Sequence, residues 1–362
     1  MPRARLMNTS TCRPEELSGP DLVAWHRLQA SDPALDSAFL SAHFARTVGH
    51  FRDDTRVTVV RRQGDPVAYF AYQRRPLGVA RALALGISDA QAIICAPTFS
   101  FDPVDLLRSL RIGVWDFDHL VTNLGTFGPH SYYTTNAPVM DLSGGYQAYM
   151  QQDGRSSHRL VRSTLQKRRK LEREIGALEF VFRSSDRDGL ASLLRWKSEQ
   201  YKRNGRFDRF ARPWIRGVVH ELAWSDDATC RGTLSTLTAG GRLVAAHMGI
   251  STPSRLSLWF PAYDPELAQY SPGMQLFLFM AEGAPSHGIT VLDLGVGSET
   301  FKQSLASWYY PVSCGQVQTN RFSGWVHQLT RRGLRKYDNV LAGHPQVRDH
   351  LPSSLSGADR VQ

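Results

Sequence analysis

Cysteine is scarce. Four cysteines (Cys12, Cys95, Cys230, Cys314) are scattered over 362 residues. None stands close to another, so the chain shows neither zinc-type ligand spacing nor a disulfide framework. Buried or inert thiols, and no metal, are expected. No apolar run approaches the length of a membrane span, and the N-terminus has no signal-peptide core. A cytoplasmic protein without a membrane span is therefore expected. Low-complexity blocks are absent too. With 42% apolar and 21% charged residues, the composition is that of a globular chain, and its length allows two ordinary domains. Charge is less balanced: 43 Lys and Arg against 33 Asp and Glu give a net charge of +10. Such a surface favours anionic partners such as CoA, a nucleotide-linked sugar, nucleic acid or an acidic membrane, and the surface bias of an arginine-rich proteome accounts for it equally well.

The most informative stretch runs from Ser257 to Lys302. Ser257 to Asp264 is an apolar, aromatic run that reads as a buried strand. Pro261 lies inside it and cannot donate to a ladder, so the strand is expected to bulge or lose a neighbour there. Ser271-Pro272-Gly273 then reads as a helix start, with serine as N-cap, proline at the first position and a glycine that admits a ligand to the backbone. The helix that follows carries Met274, Leu276, Phe277, Leu278, Phe279 and Met280 and is apolar almost all round, hence buried. Its free N-terminal amides suit a phosphate. Ile289 to Leu294 reads as the next strand.

This order, with AYDPELAQYSPGMQL followed by GITVLDLGVGSETFK, resembles the acyl-CoA site of the GNAT acyltransferase superfamily. It looks most like the CelD-like branch associated with bacterial polysaccharide loci and, more distantly, the Fem-type peptidyltransferases. The resemblance implies an α/β fold of two tandem GNAT-like halves, each a mixed, mostly antiparallel sheet flanked by helices. The halves are expected at 14–140 (degenerate) and 141–320 (active), with a basic helical tail at 321–362. It implies acetyl-CoA or another acyl-CoA as co-substrate, with pantetheine between two splayed parallel strands and pyrophosphate on the loop at Gln269 to Gln275. Phe260, Tyr263, Tyr270, Ser271, Gly273, Met274 and Gln275 are the expected cofactor-binding residues, the backbone amides of Phe260 and Tyr263 holding the acyl carbonyl. The sequence departs from its relatives in two places. The loop is poor in glycine, and Phe301 stands before Lys302 where the branch usually has tyrosine, which removes a tyrosine acid at that position.

Elsewhere the readings are coarser. Residues 1–13 read as disordered, Leu17 to Leu28 and Pro33 to Val48 as helices, and Thr55 to Val60 and Pro66 to Tyr72 as a hairpin turning at Gln63-Gly64-Asp65. Pro129 to Asp141 reads as a connecting segment. Arg155 to Gly176 carries eight basic residues on a helix pattern, either a phosphate- or nucleic-acid-binding face or an ordinary solvated one. It lacks the interleaved aromatics of a single-strand site. Arg231 to Asp264 reads as a three-stranded antiparallel meander with glycine and proline turns. His247 lies in its middle strand, where a lone histidine is more often packed than catalytic.

Acyl transfer needs a held carbonyl, an oxyanion donor, a base for the acceptor and a proton for the leaving thiolate. Asp264 and Asp293 are the candidate bases, though Asp264 before Pro265 is also an ordinary turn or cap residue. Asp293 in an apolar strand needs a partner. Lys302 is expected either to pair with it or, as the Fem-type resemblance implies, to offset charge on the tetrahedral intermediate. Glu299 is a further acid at the cleft mouth, and Tyr263 and Tyr270 are possible thiolate acids. Arg206 and Asp208, in a pattern resembling the branch, are acceptor-side candidates. The acceptor would be a small molecule or saccharide. Two alternatives remain: a Fem-type enzyme taking its aminoacyl group from tRNA, against which the absence of a long helical insertion counts, and a non-catalytic GNAT-fold module of polysaccharide synthesis.

Overall fold

A single order of elements occurs twice along the chain. In the computed structural model, which describes residues 8–122, 124–152, 155, 158–297 and 300–319, the first run is β1 (Asn8–Cys12), α1 (Gly19–Ala30), α2 (Ala42–Phe51), β2 (Thr55–Arg62), β3 (Asp65–Arg75), β4 (Val79–Ala82), a short β5 (Ile94–Cys95), α3 (Pro103–Ser109), β6 (Val114–Leu120), α4 (Leu124–Phe127) and β7 (Ser131–Asp141). After α5 (Gly145–Gln151) and α6 (Arg159–Glu174), the order recurs. It runs β8 (Leu178–Val181), α7 (Arg187–Arg203), α8 (Pro213–Ala223), β9 (Arg231–Ala239), β10 (Arg242–Ser251), β11 (Arg255–Tyr263), α9 (Pro272–Gly283), β12 (Val291–Asp293), α10 (Thr300–Leu305) and β13 (Trp308–Gln318). These are the two tandem GNAT-like halves.

The chain divides into two units, one within Met1–Asp32, Val48–Thr134 and Ser313–Gln362, the other formed by Pro33–Thr47 and Thr135–Val312. In the first, β1, β2, β3, β4 and β6 lie in that order, with the end of β13 closing the sheet beside β6. Only β4 and β6 run parallel among these neighbours. The hairpin of β2 and β3 turns on Gln63 and Gly64, both at positive φ (55° and 94°), as a two-residue primed turn requires. In the second unit the order is β8, β9, β10, β11, β12, closed by the end of β7. Again one neighbouring pair is parallel, β11 with β12. Each sheet thus ends on a strand from the far end of the other run.

The core of the second unit forms where α9 meets the sheet. Leu276, Leu278, Met280 and Ala281 pack with Leu237, Ala245, Leu256, Leu258 and Leu292. The first unit is built on aromatic packing, with Trp115 against Phe70 and Phe127 at 4.7 and 5.5 Å.

Three local readings change. Asn8–Cys12, read as disordered, is a strand paired with β2. Pro33 to Val48 is not one helix: two short 3-10 turns come first, and helix begins only at Ala42 because Ser41 Oγ accepts the Phe44 N–H at 3.0 Å and caps it. Pro129 to Asp141, read as a connection, is mostly strand, because Val139, Met140 and Asp141 pair with β12. The basic tail from 321 lies outside the described residues.

Candidate active site

Two parallel strands part at the centre of the second unit. β11 and β12 pair only at Arg255–Val291, Leu256–Leu292 and Ser257–Asp293. Beyond Ser257, β11 continues to Tyr263 with β10 on one edge and no β12 on the other. This is the loss of a neighbour expected from Pro261. The bulge lies earlier, where Leu258 and Trp259 both oppose Gly249 of β10. From Phe260 to Tyr263 the pairing is regular, so successive amides face opposite edges. The Asp264 N–H donates to Val244 O at 3.0 Å, on the β10 side. By alternation the Phe260 amide also faces β10, whereas Tyr263 N–H and Pro261 C=O face the open edge. The two amides expected to act together therefore face opposite edges, that of Tyr263 the open edge and that of Phe260 the β10 side. Pro261 sits where its missing N–H costs no ladder bond.

α9 starts beside this edge. Ser271 occupies the cap position in left-handed conformation (φ 54°), and its side chain does not cap the helix. Its hydroxyl instead accepts from Lys167 Nζ at 2.8 Å, across from α6. Pro272 has no N–H, and the amides of Met274 and Gln275 both return to Ser271 O at 3.1 and 3.2 Å. The positive groups at this end are thus the Gly273 amide and a lysine ammonium that the sequence marks only as part of a basic helix. A Cβ on Gly273 would stand 3.3 Å from the Tyr263 ring, so that ring lies against the first turn. The Gln275 side chain is buried and donates to Tyr270 O at 2.8 Å. Tyr270 OH donates to Glu174 of α6 at 2.7 Å, and that carboxylate raises the tyrosine pKa. Arg168 of α6 covers the Phe279 ring. Arg155 is buried, with its guanidinium donating to Ala306 O at 2.7 Å. Only part of the basic segment is a free face.

Asp293 stands at the last paired position before the strands diverge, and it is buried. Its Oδ1 accepts from Gly295 N at 3.0 Å, and its Oδ2 accepts from Tyr310 OH at 2.6 Å. The cation beside it is Arg255, whose Nε is 4.0 Å from Oδ2. That guanidinium also donates to Asp36 O at 3.1 Å and lies 5.1 Å above the Tyr310 ring. Lys302 directs its ammonium at the carbonyls of Gly295 and Val296, at 3.3 and 3.1 Å. It reaches Asp293 through the turn that the carboxylate itself caps. Arg255 and Tyr310 were missed in sequence because their approach to Asp293 is made by strand register, with no spacing pattern to mark it.

The other expected residues are placed as follows. Asp264 is held by Arg242 (Nη2 to Oδ2, 2.5 Å), and its Oδ1 accepts the Glu266 N–H at 3.0 Å, the turn-cap arrangement. Asp208 accepts from Phe210 N at 3.0 Å and from Ser198, capping a short turn. Arg206 is exposed. Phe301 stacks on Phe277 of α9 at 5.6 Å. Glu299 lies outside the described residues. His247 is fully buried, with neither ring nitrogen hydrogen-bonded. Burial first, and Lys197 second, push its pKa down to about 3, so the imidazole is neutral.

Comparison with known proteins fits this geometry. The model of the acetyltransferase (GNAT) domain matches residues 158–303, which include the fork, α9 and Lys302. No curated protein sequence matches the chain. Among solved structures, FemX is similar at 11% identity and a TM-score of 0.59, over 88% of this chain and 99% of that one. The C-terminal domain (DUF2156) of a putative lysylphosphatidylglycerol synthetase from Agrobacterium fabrum gives 13% and 0.54, over 86% and 96%. L-PGS from Bacillus licheniformis gives 12% and 0.51, over 84% and 93%. The chain has the fold of the GNAT superfamily.

Proposed function

We propose that the chain is an acyltransferase that moves an acyl group from a CoA thioester to an amine or hydroxyl. The observation that carries this reading is the fork of β11 and β12 with a buried carboxylate at its apex. The acceptor nitrogen or oxygen attacks the thioester carbonyl, the new C–N or C–O bond forms, and the C–S bond breaks. The Tyr263 amide is the oxyanion donor available on the open edge. Asp293 takes the acceptor proton through Tyr310, and the departing thiolate takes up one proton from solvent, so that CoA leaves as the thiol and Asp293 later returns its proton to solvent. Lys302 supports the site by holding the Gly295 turn, and its charge offsets that of the intermediate. Gly273 N–H and Lys167 receive the pyrophosphate, with Ser271, Tyr270, Met274 and Gln275 around them. Arg206, Asp208 and Glu299 remain the acceptor-side proposals. A polysaccharide or cell-envelope precursor as acceptor rests on the CelD-like resemblance.

A second reading keeps the fold and takes the acyl group from aminoacyl-tRNA. It is favoured by the exposed Arg162, Arg169, Lys170 and Arg173 of α6. Calorimetry with acetyl-CoA separates the two. Wild-type protein is expected to bind, and Gly273→Glu and Lys167→Glu are expected to bind at least about tenfold more weakly, through loss of the phosphate site. Wild-type protein that binds tRNA and no acetyl-CoA would replace the first reading with the second.

A further inference from the structure

The first unit holds a cluster that the acyl-transfer reading does not use. Between Phe117–Gly315 and Leu120–Ser313 the register of β6 and β13 slips by one residue. Asp118 and His119 of β6 therefore both oppose Cys314 of β13. Adjacent strand residues normally point to opposite faces, and a bulge re-aims one of them. Here His119 takes a left-handed backbone (φ 54°), which brings its ring to the side of Asp118. Cys314 Sγ lies 2.9 Å from Asp118 Oδ1, and His119 Nδ1 lies 2.9 Å from the same oxygen. All three donor atoms fall within 4.8 Å of one another. Tyr133 stands beside the sulfur, and Cys314 first and burial second push the pKa of its hydroxyl up. Close approach of that segment depends on Gly315, where a Cβ would meet His130 O at 2.2 Å.

A nucleophilic cysteine does not fit these contacts. Its sulfur faces a carboxylate rather than the imidazole, and with no cation bound that negative charge disfavours the thiolate. A thiolate nucleophile needs the opposite. The same three groups are a ligand set of soft sulfur, imidazole nitrogen and carboxylate oxygen, the mixture that suits zinc-class divalent ions. Asp118 and Cys314 are 9% and 5% exposed, so a divalent cation there would be largely screened from water by protein.

We propose that Asp118, His119 and Cys314 form a binding site for one zinc-class divalent transition-metal ion, with the fourth position toward Tyr133. Binding replaces the thiol proton by the metal, so it releases a proton and strengthens as pH rises. The test is titration of the reduced, chelator-treated full-length protein with Co²⁺. Wild type is expected to develop a thiolate-to-cobalt absorption band at one equivalent, which Zn²⁺ abolishes by displacement. Cys314→Ala should lack the band. His119→Asn, in which asparagine tolerates the left-handed backbone, should bind at least about tenfold more weakly while remaining folded. Should Cys314→Ala fail to fold, His119→Asn carries the test alone. No band from folded wild type, or a band unchanged in His119→Asn, overturns the proposal.

Discussion

Asp293, proposed as the base, is also bound tightly into the fold. Its carboxylate accepts from Tyr310 and Gly295 and sits beside Arg255. Asp293→Asn removes the charge while Arg255 stays buried, and should lower unfolding stability by about 2–4 kcal/mol in urea titrations. Tyr310→Phe separates the two roles, since the ring stays against Arg255 and only the hydroxyl goes. If Tyr310 relays the acceptor proton, kcat should fall about 100-fold or more with the melting temperature little changed. An unchanged kcat would leave the hydroxyl a structural partner only. His247 makes a different prediction. Its folded pKa of about 3 lies below the unfolded 6.5, so the unfolded state binds the extra proton first. Stability tied to this group is fully present above pH 6.5 and is lost as pH falls from there toward 3. His247→Leu should flatten that stretch of the stability–pH curve, and an identical slope in the variant would assign the acid sensitivity to other groups.

The paired elements around the fork depend on close backbone approach. The bulge of β11 opposite Gly249 brings Ser257 O to 2.4 Å and the His247 ring to 2.5 Å from where a Cβ would stand. Gly249→Ala should therefore cost about 2–4 kcal/mol, read as a lower urea midpoint at constant m-value. A cost under about 0.5 kcal/mol would show that the bulge can shift to admit the methyl group. α6 matters to the site in a way its own pattern does not reveal. One face packs Val161, Thr164 and Leu171, Lys167 turns to the start of α9, and Glu174 takes the Tyr270 hydroxyl. The helix is at once a core element and the source of a cation for the proposed phosphate position.

For the molecule as a whole, the net charge of +10 sets the expected response to salt. A polyanionic ligand such as acetyl-CoA should bind more weakly as ionic strength rises from about 0.01 to 0.15 M, because the Debye length falls from about 30 to 8 Å. Lys167→Ala should reduce that salt dependence as well as the affinity. An affinity that ignores salt would argue that the phosphates do not meet this surface.

Much of the architecture was legible along the chain because it is encoded by neighbours in sequence. Alternation and turn residues marked the hairpin at Gln63-Gly64 and the meander from Arg231 to Asp264. Near-complete apolarity marked α9, and Pro261 marked the edge where β11 loses its neighbour. Two local placements were equally visible, Gly273 at a helix start and a buried aspartate in an apolar strand. What escaped were meetings between distant segments. Lys167 reaches Ser271 across 104 residues, and Cys314 reaches Asp118 across 196. The approach of Arg255 and Tyr310 to Asp293 escaped for the same reason, as did the edge to which the Phe260 amide is turned. Strand register and bulges decide such meetings, and a one-residue shift reverses which side chains face each other. Periodicity says only that a residue lies on some face. Which segment lies opposite is settled by the closing of each sheet with a strand from the other run, a long-range pairing that no local pattern records.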